Sequence, residues 1–234
     1  MYESVCEMKV VILCGGRGLR LNEYTETIPK SMVIVQGKPI LYYICQHYKK
    51  YGHNDFIFCL GYKGEQIRTY FRNTDFRITF VDTGEKTNKT ERVLKVRDLI
   101  KEKRFFLSYG DDICHINLKE LFEFHNKNNG YATLTTVPLF SEFGIVTFDY
   151  LGNVESFIEK PMLPYWINGG YYIFEKEVLD YFEQNRYVDF EKSALPQLAQ
   201  EKQLKAYKYQ GFWKSVNTIK DVIELNETRK LLEK

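Results

Sequence analysis

The sequence lacks the features of membrane-spanning, disulfide-stabilised and nucleic-acid-binding proteins. No apolar run approaches the ~18 residues of a membrane span, and residues 1–7 contain neither the basic nor the apolar region of a secretory signal. The five cysteines show no Cys-x-x-Cys spacing, so neither a zinc site nor a disulfide scaffold is expected. The formal net charge is only +2, from 33 basic and 31 acidic residues, which gives no reason to expect a nucleic acid partner. These absences predict a cytoplasmic protein that binds neither nucleic acid nor a membrane.

The order of the apolar segments predicts an α/β fold in a chain of 234 residues, which is long enough for one large domain. Strands are predicted at residues 9–14, 55–60, 78–82 and 104–109, and helices at 39–51, near 65–71 and near 91–101. This alternation is typical of a doubly wound sheet. Further strands are predicted at 132–138, 145–149, 154–159 and 170–174, followed by a polar helix at 218–234. The closer spacing of the later strands indicates that the sheet is mixed.

A glycine-rich loop follows the first predicted strand. Gly15, Gly16 and Gly18 allow a tight turn whose backbone N–H groups point at an anion. Arg20 and Lys30 add positive charge near the same point. The loop and the two cations together predict a polyphosphate site, and hence a nucleotide ligand.

Two more common glycine-rich signatures do not fit this loop. The sequence has no Gly-Lys-Ser or Gly-Lys-Thr at the spacing of a Walker A loop, and Leu21 stands where a dinucleotide fingerprint needs a small residue. A plain tight turn remains an alternative for the glycines alone. Lys30, at a fixed distance after the loop, favours the nucleotide interpretation.

Asp111 lies just beyond the predicted strand at 104–109. Open α/β sheets bind ligands beyond the carboxyl ends of their strands, so Asp111 and the glycine-rich loop are expected at the same edge. A carboxylate beside bound phosphates is a typical Mg²⁺ ligand. Asp112 is the alternative ligand, and a helix cap or turn is the alternative role for either residue.

Two later stretches are candidates for a second substrate. Glu159 can accept hydrogen bonds from sugar hydroxyls, while the ammonium of Lys160 can bind a phosphate. An ordinary exposed ion pair is the alternative for these two residues. Asn168 and Gly169 can equally form a hairpin turn.

Several motifs in this order resemble one enzyme family from about residue 8 to residue 228. They are Gly15-Gly16-x-Gly18-x-Arg20-Leu21, Pro29-Lys30-x-Met32, Gly37-Lys38-Pro39-Ile40-Leu41, Gly61-Tyr62-Lys63-Gly64, Val81-Asp82-Thr83-Gly84, Tyr109-Gly110-Asp111, Phe143-Gly144, Glu159-Lys160-Pro161, Ile167-Asn168-Gly169-Gly170 and Gly211-Phe212-Trp213. Together they resemble the sugar-1-phosphate nucleotidylyltransferases, and most closely those that act as glucose-1-phosphate cytidylyltransferases.

The resemblance implies the nucleotide-diphospho-sugar transferase fold, a Rossmann-like α/β architecture, in a single domain at residues 8–234. Residues 8–130 would bind the nucleotide and 131–234 the sugar phosphate. The implied reaction transfers a nucleotidyl group from an NTP, expected to be CTP, to a sugar 1-phosphate, expected to be glucose 1-phosphate, with release of pyrophosphate. Mg²⁺ is the implied cofactor, and a homo-oligomer is expected.

The resemblance also implies roles for individual residues. The implied roles are catalysis by Arg20 and Lys30; nucleotide binding by Leu13, Gly15, Gly16, Gly18, Leu19, Arg92 and Gly110; sugar-phosphate binding by Gly144, Glu159, Lys160, Asn168 and Gly169; and metal binding by Asp111 and Asn217. No protein nucleophile is needed, because the phosphate oxygen of the acceptor can attack the α-phosphorus directly.

The chain departs from the family pattern at three places. Leu19 stands where threonine is usual, Thr90 and Glu91 replace small glycines before a retained Arg92, and Asn217 replaces an aspartate. These departures leave two alternatives open: a transferase for another nucleotide or another sugar or polyol phosphate, and a catalytically weakened paralogue that binds nucleotide or NDP-sugar. A dinucleotide-dependent oxidoreductase is disfavoured by Leu21 and by the lysine motif.

Overall fold

The computed structural model describes residues 7–18, 21 and 25–228. Its strands are β1 (Val10–Leu13), β2 (Ile34–Val35), β3 (Lys38–Pro39), β4 (Asp55–Leu60), β5 (Arg77–Asp82), β6 (Arg104–Tyr109), β7 (Asp112–Cys114), β8 (Ala132–Phe140), β9 (Ile145–Phe148), β10 (Val154–Ile158), β11 (Met162–Glu175), β12 (Leu204–Lys208) and β13 (Trp213–Ser215). Its α-helices are α1 (Ile40–Lys50), α2 (Gly64–Phe71), α3 (Lys89–Leu94), α4 (Leu118–Asn128), α5 (Val178–Gln184), α6 (Ala194–Gln200) and α7 (Ile219–Glu227). Short 3₁₀ turns lie at Lys30–Met32 and Arg97–Leu99.

The central sheet has seven strands in the order β12-β8-β11-β6-β1-β4-β5. Strands β6, β1, β4 and β5 are parallel, whereas β11 runs antiparallel to both β6 and β8. Strand β12 pairs in parallel with β8. The predicted mixed, doubly wound sheet is therefore confirmed.

Alternation along β1 divides the core between the two faces of the sheet. Val10 and Ile12 pack into one apolar cluster with Tyr48 of α1, while Val11 packs into the opposite cluster with Phe182 of α5. Successive side chains of a strand point to opposite faces, so a strand covered by helices on both faces is apolar throughout. All four residues of β1 are buried accordingly.

The register of the parallel strands places the end of β1 beside the ends of its neighbours. Leu13 pairs with Cys59 at the end of β4 and with Tyr109 at the end of β6. The glycine-rich loop and Asp111 therefore leave the sheet at the same edge, as expected for this fold class.

Some predicted elements differ from the structure. The helix predicted near 91–101 is divided into α3 and a 3₁₀ turn at Arg97–Leu99. The strand predicted at 170–174 is the final part of the 14-residue strand β11. Asn168 and Gly169 lie within β11, at a register shift against β8, so the hairpin-turn alternative is wrong. Within the described part of the chain, no helix is both long and apolar enough to cross a membrane.

Candidate active site

A cleft of about 650 Å³ opens at the carboxyl edge of the parallel strands. It is lined by the glycine-rich loop, by the loop between β5 and α3, and by residues that follow β6 and β13. Residues named from the sequence that line it are Leu13, Gly15, Gly16, Arg92, Asp111, Asn168 and Asn217. A smaller cavity of about 200 Å³ lies against the same loop and is lined by Gly18, Lys30 and Gly110 among others. Most of the predicted nucleotide-binding residues therefore share one edge of the sheet.

Gly18 sets the shape of the glycine-rich loop. Its φ of 67° lies in the left-handed region that favours glycine, and a Cβ there would lie 2.8 Å from the Cβ of Lys30. The hydroxyl of Thr25 donates to the Gly18 carbonyl at 3.1 Å. Arg20 and Leu19, predicted for catalysis and nucleotide binding, lie outside the described residues.

Lys30, Asp111 and Asn217 meet at one point, although 187 residues separate Lys30 from Asn217. The Lys30 ammonium forms an ion pair with the Asp111 carboxylate and donates to Oδ1 of Asn217 at 2.8 Å. The Lys30 side chain is only 13% exposed, so little water screens this contact. Three positions chosen separately from the sequence thus form one polar cluster.

A short antiparallel ladder positions the two acceptors of this cluster. Strand β7 pairs with β13, so that Asp112 lies opposite Ser215, and the Val216 amide donates to the Asp111 carbonyl at 3.0 Å. The Asn217 amide group donates to Oγ of Ser215 at 2.8 Å. Because this bond identifies the Nδ2 side of Asn217, its Oδ1 faces Lys30.

Asp112 also lines the cleft, but its side chain is more deeply enclosed. The residue is 4% exposed, and burial, together with the neighbouring charge of Asp111, raises the pKa of its carboxyl well above the usual range. Gly170 has a φ of 76°, and a Cβ at this position would collide with the Asp112 carboxylate. The glycine in β11 therefore permits the close approach of Asp112.

Arg92 is buried at 4% exposure beneath the glycine-rich loop. Its guanidinium donates to the Gly15 and Glu85 carbonyls, both at 3.2 Å, and to the hydroxyl of Thr83 at 2.7 Å. It also donates to the Leu60 carbonyl at 3.1 Å. Arg92 therefore ties together the loops that follow β1 and β5, and its role in nucleotide binding stays a prediction.

Sequence reasoning missed a second polar cluster, which reaches the cleft through Lys89, Tyr109 and Asn168. The hydroxyl of Tyr109 donates to Glu191, which also forms an ion pair with Lys89. The Tyr172 hydroxyl lies 2.8 Å from that of Tyr109, and the Asn168 amide donates to the Tyr109 hydroxyl at 3.3 Å. Burial raises the pKa of both tyrosines, so both are neutral.

The position of Tyr109 directly before Gly110 could have indicated from the sequence that Tyr109 belongs to the site. No local sequence pattern indicates Glu191, which lies in the loop between α5 and α6. The cluster fixes Asn168, a predicted sugar-site residue, between two phenol groups.

Of the remaining residues predicted to bind the sugar phosphate, Lys160 lies at a larger cavity of about 1,020 Å³, whereas Gly144, Glu159 and Gly169 are not among the residues that line it. Lys160 lines this cavity, which meets the first cleft at Trp213, Ser215 and Asn217. Oε1 of Glu159 lies 3.8 Å from Nζ of Lys160, and both side chains are more than half exposed. An exposed pair of this kind is weak, and the binding of a sugar phosphate by Lys160 stays a prediction.

Two glycines support this region. The Gly169 carbonyl accepts a hydrogen bond from the Trp213 indole at 2.8 Å, which joins β11 to β13 between the two cavities. A Cβ on Gly144 would lie 2.6 Å from the Phe157 ring and 2.9 Å from the Glu159 carboxylate. Gly144 therefore leaves room for Glu159 beside the turn that precedes β9.

The donor set of Asp111 and Asn217 fits a hard divalent cation. Both residues offer oxygen, the ligand atom that Mg²⁺ prefers, and the Lys30 ammonium already bridges them as a cation would. Among the described residues, no group of three or more histidine, cysteine, aspartate or glutamate side chains could enclose a metal. Such a site suits Mg²⁺, which commonly takes one or two carboxylates together with substrate phosphates.

The comparisons with known proteins agree with this geometry. The sequence model of one family, described as nucleotidyl transferase, matches residues 9–230. The "Probable glucose-1-phosphate cytidylyltransferase" of Bacillus subtilis is 36% identical over 94% of this chain and 95% of that protein. The glucose-1-phosphate cytidylyltransferase of Salmonella typhi is 35% identical over 93% of this chain and 94% of that protein. HddC from Yersinia pseudotuberculosis, in a crystal structure with GMP-PN, is 25% identical with a TM-score of 0.73, over 94% of this chain and 98% of that one.

The chain therefore belongs to the nucleotidyl transferase family, and within it to the sugar-1-phosphate nucleotidylyltransferases. Its activity is the transfer of a nucleotidyl group to a sugar 1-phosphate, which forms an NDP-sugar. The family, the enzyme class and the fold inferred from the motifs are confirmed.

Proposed function

We propose that this enzyme converts CTP and glucose 1-phosphate into CDP-glucose and pyrophosphate. The observation that carries the proposal is the meeting of Lys30, Asp111 and Asn217 beside the glycine-rich loop. The choice of CTP and glucose 1-phosphate is supported by the names of the Bacillus and Salmonella relatives. The crystal structure of HddC complexed with GMP-PN supports a nucleotide as the ligand.

The proposed roles follow from charge and position. The amides of Gly15, Gly16 and Gly18 would hold the β- and γ-phosphates, since glycine backbone can approach an anion closely. Lys30 would neutralise the charge that grows on the α-phosphoryl group, where a preorganised cation is most effective. Arg20 is proposed as a second cation for the same phosphates. The acceptor oxygen then attacks in line with the departing pyrophosphate.

We assign Mg²⁺ to Asp111 and Asn217. When bound, the metal supplies positive charge that offsets the charge of the nucleotide phosphates. In the structure the Lys30 ammonium contacts these same two oxygen donors. Lys30 would release Asp111 when the nucleotide arrives and turn toward the α-phosphate, so that lysine and metal no longer compete for one carboxylate.

We assign the acceptor to the cavity that contains Lys160. Its ammonium would bind the sugar phosphate, while Glu159, Asn168 and the backbone at Gly144 and Gly169 would contact the sugar. This assignment gives the chain two functional halves, with the nucleotide held by residues 8–130 and the sugar phosphate by residues 131–234. Since Asn217 borders both cavities, the α-phosphorus would lie close to it.

The test of the proposed substrates is a matrix of pyrophosphate release. The common nucleoside triphosphates are each combined with a panel of sugar and polyol phosphates in the presence of Mg²⁺. We expect CTP with glucose 1-phosphate to give the highest kcat/KM. A different best pair would replace the proposed substrates and leave the enzyme class intact.

A nucleotide-binding paralogue of low activity is the second candidate, and Asn217 favours it. An amide offers the metal one neutral oxygen where a carboxylate would offer charge. Calorimetric binding of CTP without pyrophosphate release from any acceptor would support this candidate against the first.

A further inference from the structure

Asn217 can serve a metal ion only if its amide group has one particular orientation. A carboxylate offers two equivalent oxygens, whereas the amide of asparagine has one oxygen and one NH₂ group that only donates. The terminal torsion of asparagine is broad and roughly two-fold, so the side chain itself does not select which end faces the cation. The asparagine at this position therefore needs a partner that an aspartate would not need.

The main chain around Asn217 is held by hydrogen bonds to two other parts of the chain. The Val216 amide donates to the Asp111 carbonyl at 3.0 Å. The main-chain N–H of Asn217 donates at 2.9 Å to Oδ2 of Asp221, which lies in the first turn of α7. These bonds fix the point at which the Asn217 side chain begins, but they do not decide which end of its amide faces Lys30.

The hydroxyl of Ser215 selects the orientation of this amide. Nδ2 of Asn217 donates to Oγ of Ser215 at 2.8 Å. Oδ1 is thereby turned to the other side, where it accepts from the Lys30 ammonium at 2.8 Å. A hydroxyl has one hydrogen to donate and two lone pairs that accept. Since its oxygen accepts from Nδ2, the hydrogen of the Ser215 hydroxyl must point to another acceptor.

Asp112 is that acceptor. It lies in β7 directly opposite Ser215 in β13, and side chains of such an antiparallel pair are close enough to interact. The Ser215 hydroxyl donates to the Asp112 carboxyl group. Asp112 is buried, and Gly170 leaves the space that its carboxyl group occupies. Because little water reaches this acceptor, the hydroxyl is held with its oxygen toward Asn217.

We infer that Asp112 and Ser215 are positioning residues that turn the oxygen of Asn217 toward the metal. Asp112 orients the Ser215 hydroxyl, and this hydroxyl in turn orients the amide. Asn217 then presents its one oxygen beside Asp111. Hydrogen-bond partners of this kind fix the orientation of ligand side chains at metal sites. The inference rests on the proposed assignment of Mg²⁺ to Asp111 and Asn217.

The test measures Mn²⁺ binding by paramagnetic resonance in the absence of both substrates, so the result does not depend on turnover. Ser215→Ala removes the acceptor for Nδ2, whereas Ser215→Thr keeps a hydroxyl. The matched control is Ser193→Ala, which removes a hydroxyl that donates to a main-chain carbonyl and lines neither cavity. We expect the Kd for Mn²⁺ to rise about tenfold in Ser215→Ala and to stay close to the wild-type value in the other two variants.

The same measurement in an Asn217→Asp background separates orientation from a general structural effect of Ser215. An aspartate presents an oxygen to the metal in either orientation, so loss of the Ser215 hydroxyl should no longer weaken Mn²⁺ binding. A structural effect would instead be the same in both backgrounds. Equal increases of the Kd in the two backgrounds would therefore overturn the inference.

A second pair of variants tests Asp112. Asp112→Ala and Asp112→Asn both remove the carboxylate charge, but only the asparagine keeps an oxygen that can accept from Ser215. We expect Mn²⁺ to bind about fivefold more tightly to the asparagine variant than to the alanine variant. Equal affinities would remove Asp112 from the chain of hydrogen bonds. Circular dichroism and urea unfolding verify that each variant is folded.

Failure of this inference and failure of the proposed function give different results. If the wild type binds no Mn²⁺, the assignment of the metal to Asp111 and Asn217 is wrong, and the inference is overturned with it. If Mn²⁺ binds but no acceptor supports turnover, the proposed function fails. The affinities of the Ser215 and Asp112 variants then still decide whether these residues orient Asn217.

Discussion

Lys30 lies where three separate parts of the chain meet, and its ammonium touches both proposed metal ligands. A side chain in this position can act in two ways: it can compensate Asp111 in the free enzyme and stabilise phosphate charge during the reaction. Both roles depend on the charge of the ammonium and not on its carbon chain. A neutral side chain of similar length therefore separates charge from packing.

Lys30→Met should lower kcat by about 10² or more, the usual scale for loss of one preorganised electrostatic group. It should also increase the affinity for Mn²⁺ in the absence of nucleotide, measured by paramagnetic resonance, because Asp111 loses its competing cation. Lys49→Met, which removes a half-buried lysine paired with the exposed Asp75, is the control. Turnover close to wild type would remove Lys30 from the chemical step.

Lys160 should act on the acceptor alone. We expect Lys160→Ala to increase KM for the sugar 1-phosphate at least tenfold with little change in KM for the nucleotide, because the lysine lines the larger cavity only. Steady-state kinetics with each substrate varied in turn measures the two effects. Equal effects on both substrates would show that Glu159 and Lys160 are an ordinary surface pair.

Asn217 should limit the affinity for the metal. Asn217→Asp places a second carboxylate beside Asp111, and we expect the Mg²⁺ concentration for half-maximal turnover to fall by about tenfold, or about 1.4 kcal/mol. Asn128→Asp, at the end of α4, adds the same charge at a residue that lines neither cavity, and it serves as the control. An unchanged Mg²⁺ dependence would place Asn217 outside the metal shell.

At the scale of elements, the carboxyl ends of the parallel strands position the site. This placement could be predicted from the sequence. Strands β4 and β6 have the bounds expected from their apolar runs. Since parallel strands end at a shared edge, the glycine-rich loop and Asp111 could be placed together in advance. Arg92 could be named but not positioned, because its four carbonyl and hydroxyl partners lie in three separate segments: the glycine-rich loop, the end of β4 and the loop after β5.

Other features could not be predicted, because contacts between residues distant in the sequence determine them. The two glycines after Asn168 are typical of a turn, but β11 continues through them. Gly170 adopts its left-handed conformation against Asp112 of another strand pair, which local sequence does not reveal. Glu191 joins the cleft through Tyr109 and Lys89, and nothing beside it in the sequence points to either.

Gly170→Ala should therefore destabilise the protein by about 2 kcal/mol or more, since it adds a collision with Asp112 to backbone strain. Gly52→Ala is the matched control. Gly52 has a φ of 89°, but a Cβ there would have no neighbour within 4 Å, so only the strain of about 1 kcal/mol applies. Urea unfolding measures both variants. Equal losses would show that Asp112 does not approach Gly170 closely.

At the scale of the whole molecule, stability should fall in weak acid. Burial lowers the pKa of His53 from 6.5 to about 4, and burial lowers that of His47 to about 3. Below pH 6.5 the unfolded chain therefore takes up protons that the folded chain does not. The contribution of neutral His53 is complete above pH 6.5 and is lost as the pH falls toward 4.

We expect the free energy of unfolding to fall by about 2 kcal/mol for each of these histidines between pH 6.5 and pH 5. His53→Gln keeps an acceptor for the Met8 amide, which donates to the His53 ring at 3.1 Å, but does not titrate. Its urea-unfolding free energy should depend less steeply on pH than that of the wild type. Identical slopes for the two proteins would show that His53 is not held neutral by the fold.

The measurement that tests the central claim most directly is phosphorus magnetic resonance of the enzyme with CTP, glucose 1-phosphate and Mg²⁺. Nucleotidyl transfer at the Lys30 and Asp111 site predicts that the signals of both substrates disappear together. Equal amounts of CDP-glucose and pyrophosphate should replace them, at a rate that falls about 10²-fold in Lys30→Met. Loss of the CTP signal without a sugar diphosphate product, or equal rates in both proteins, would contradict the account.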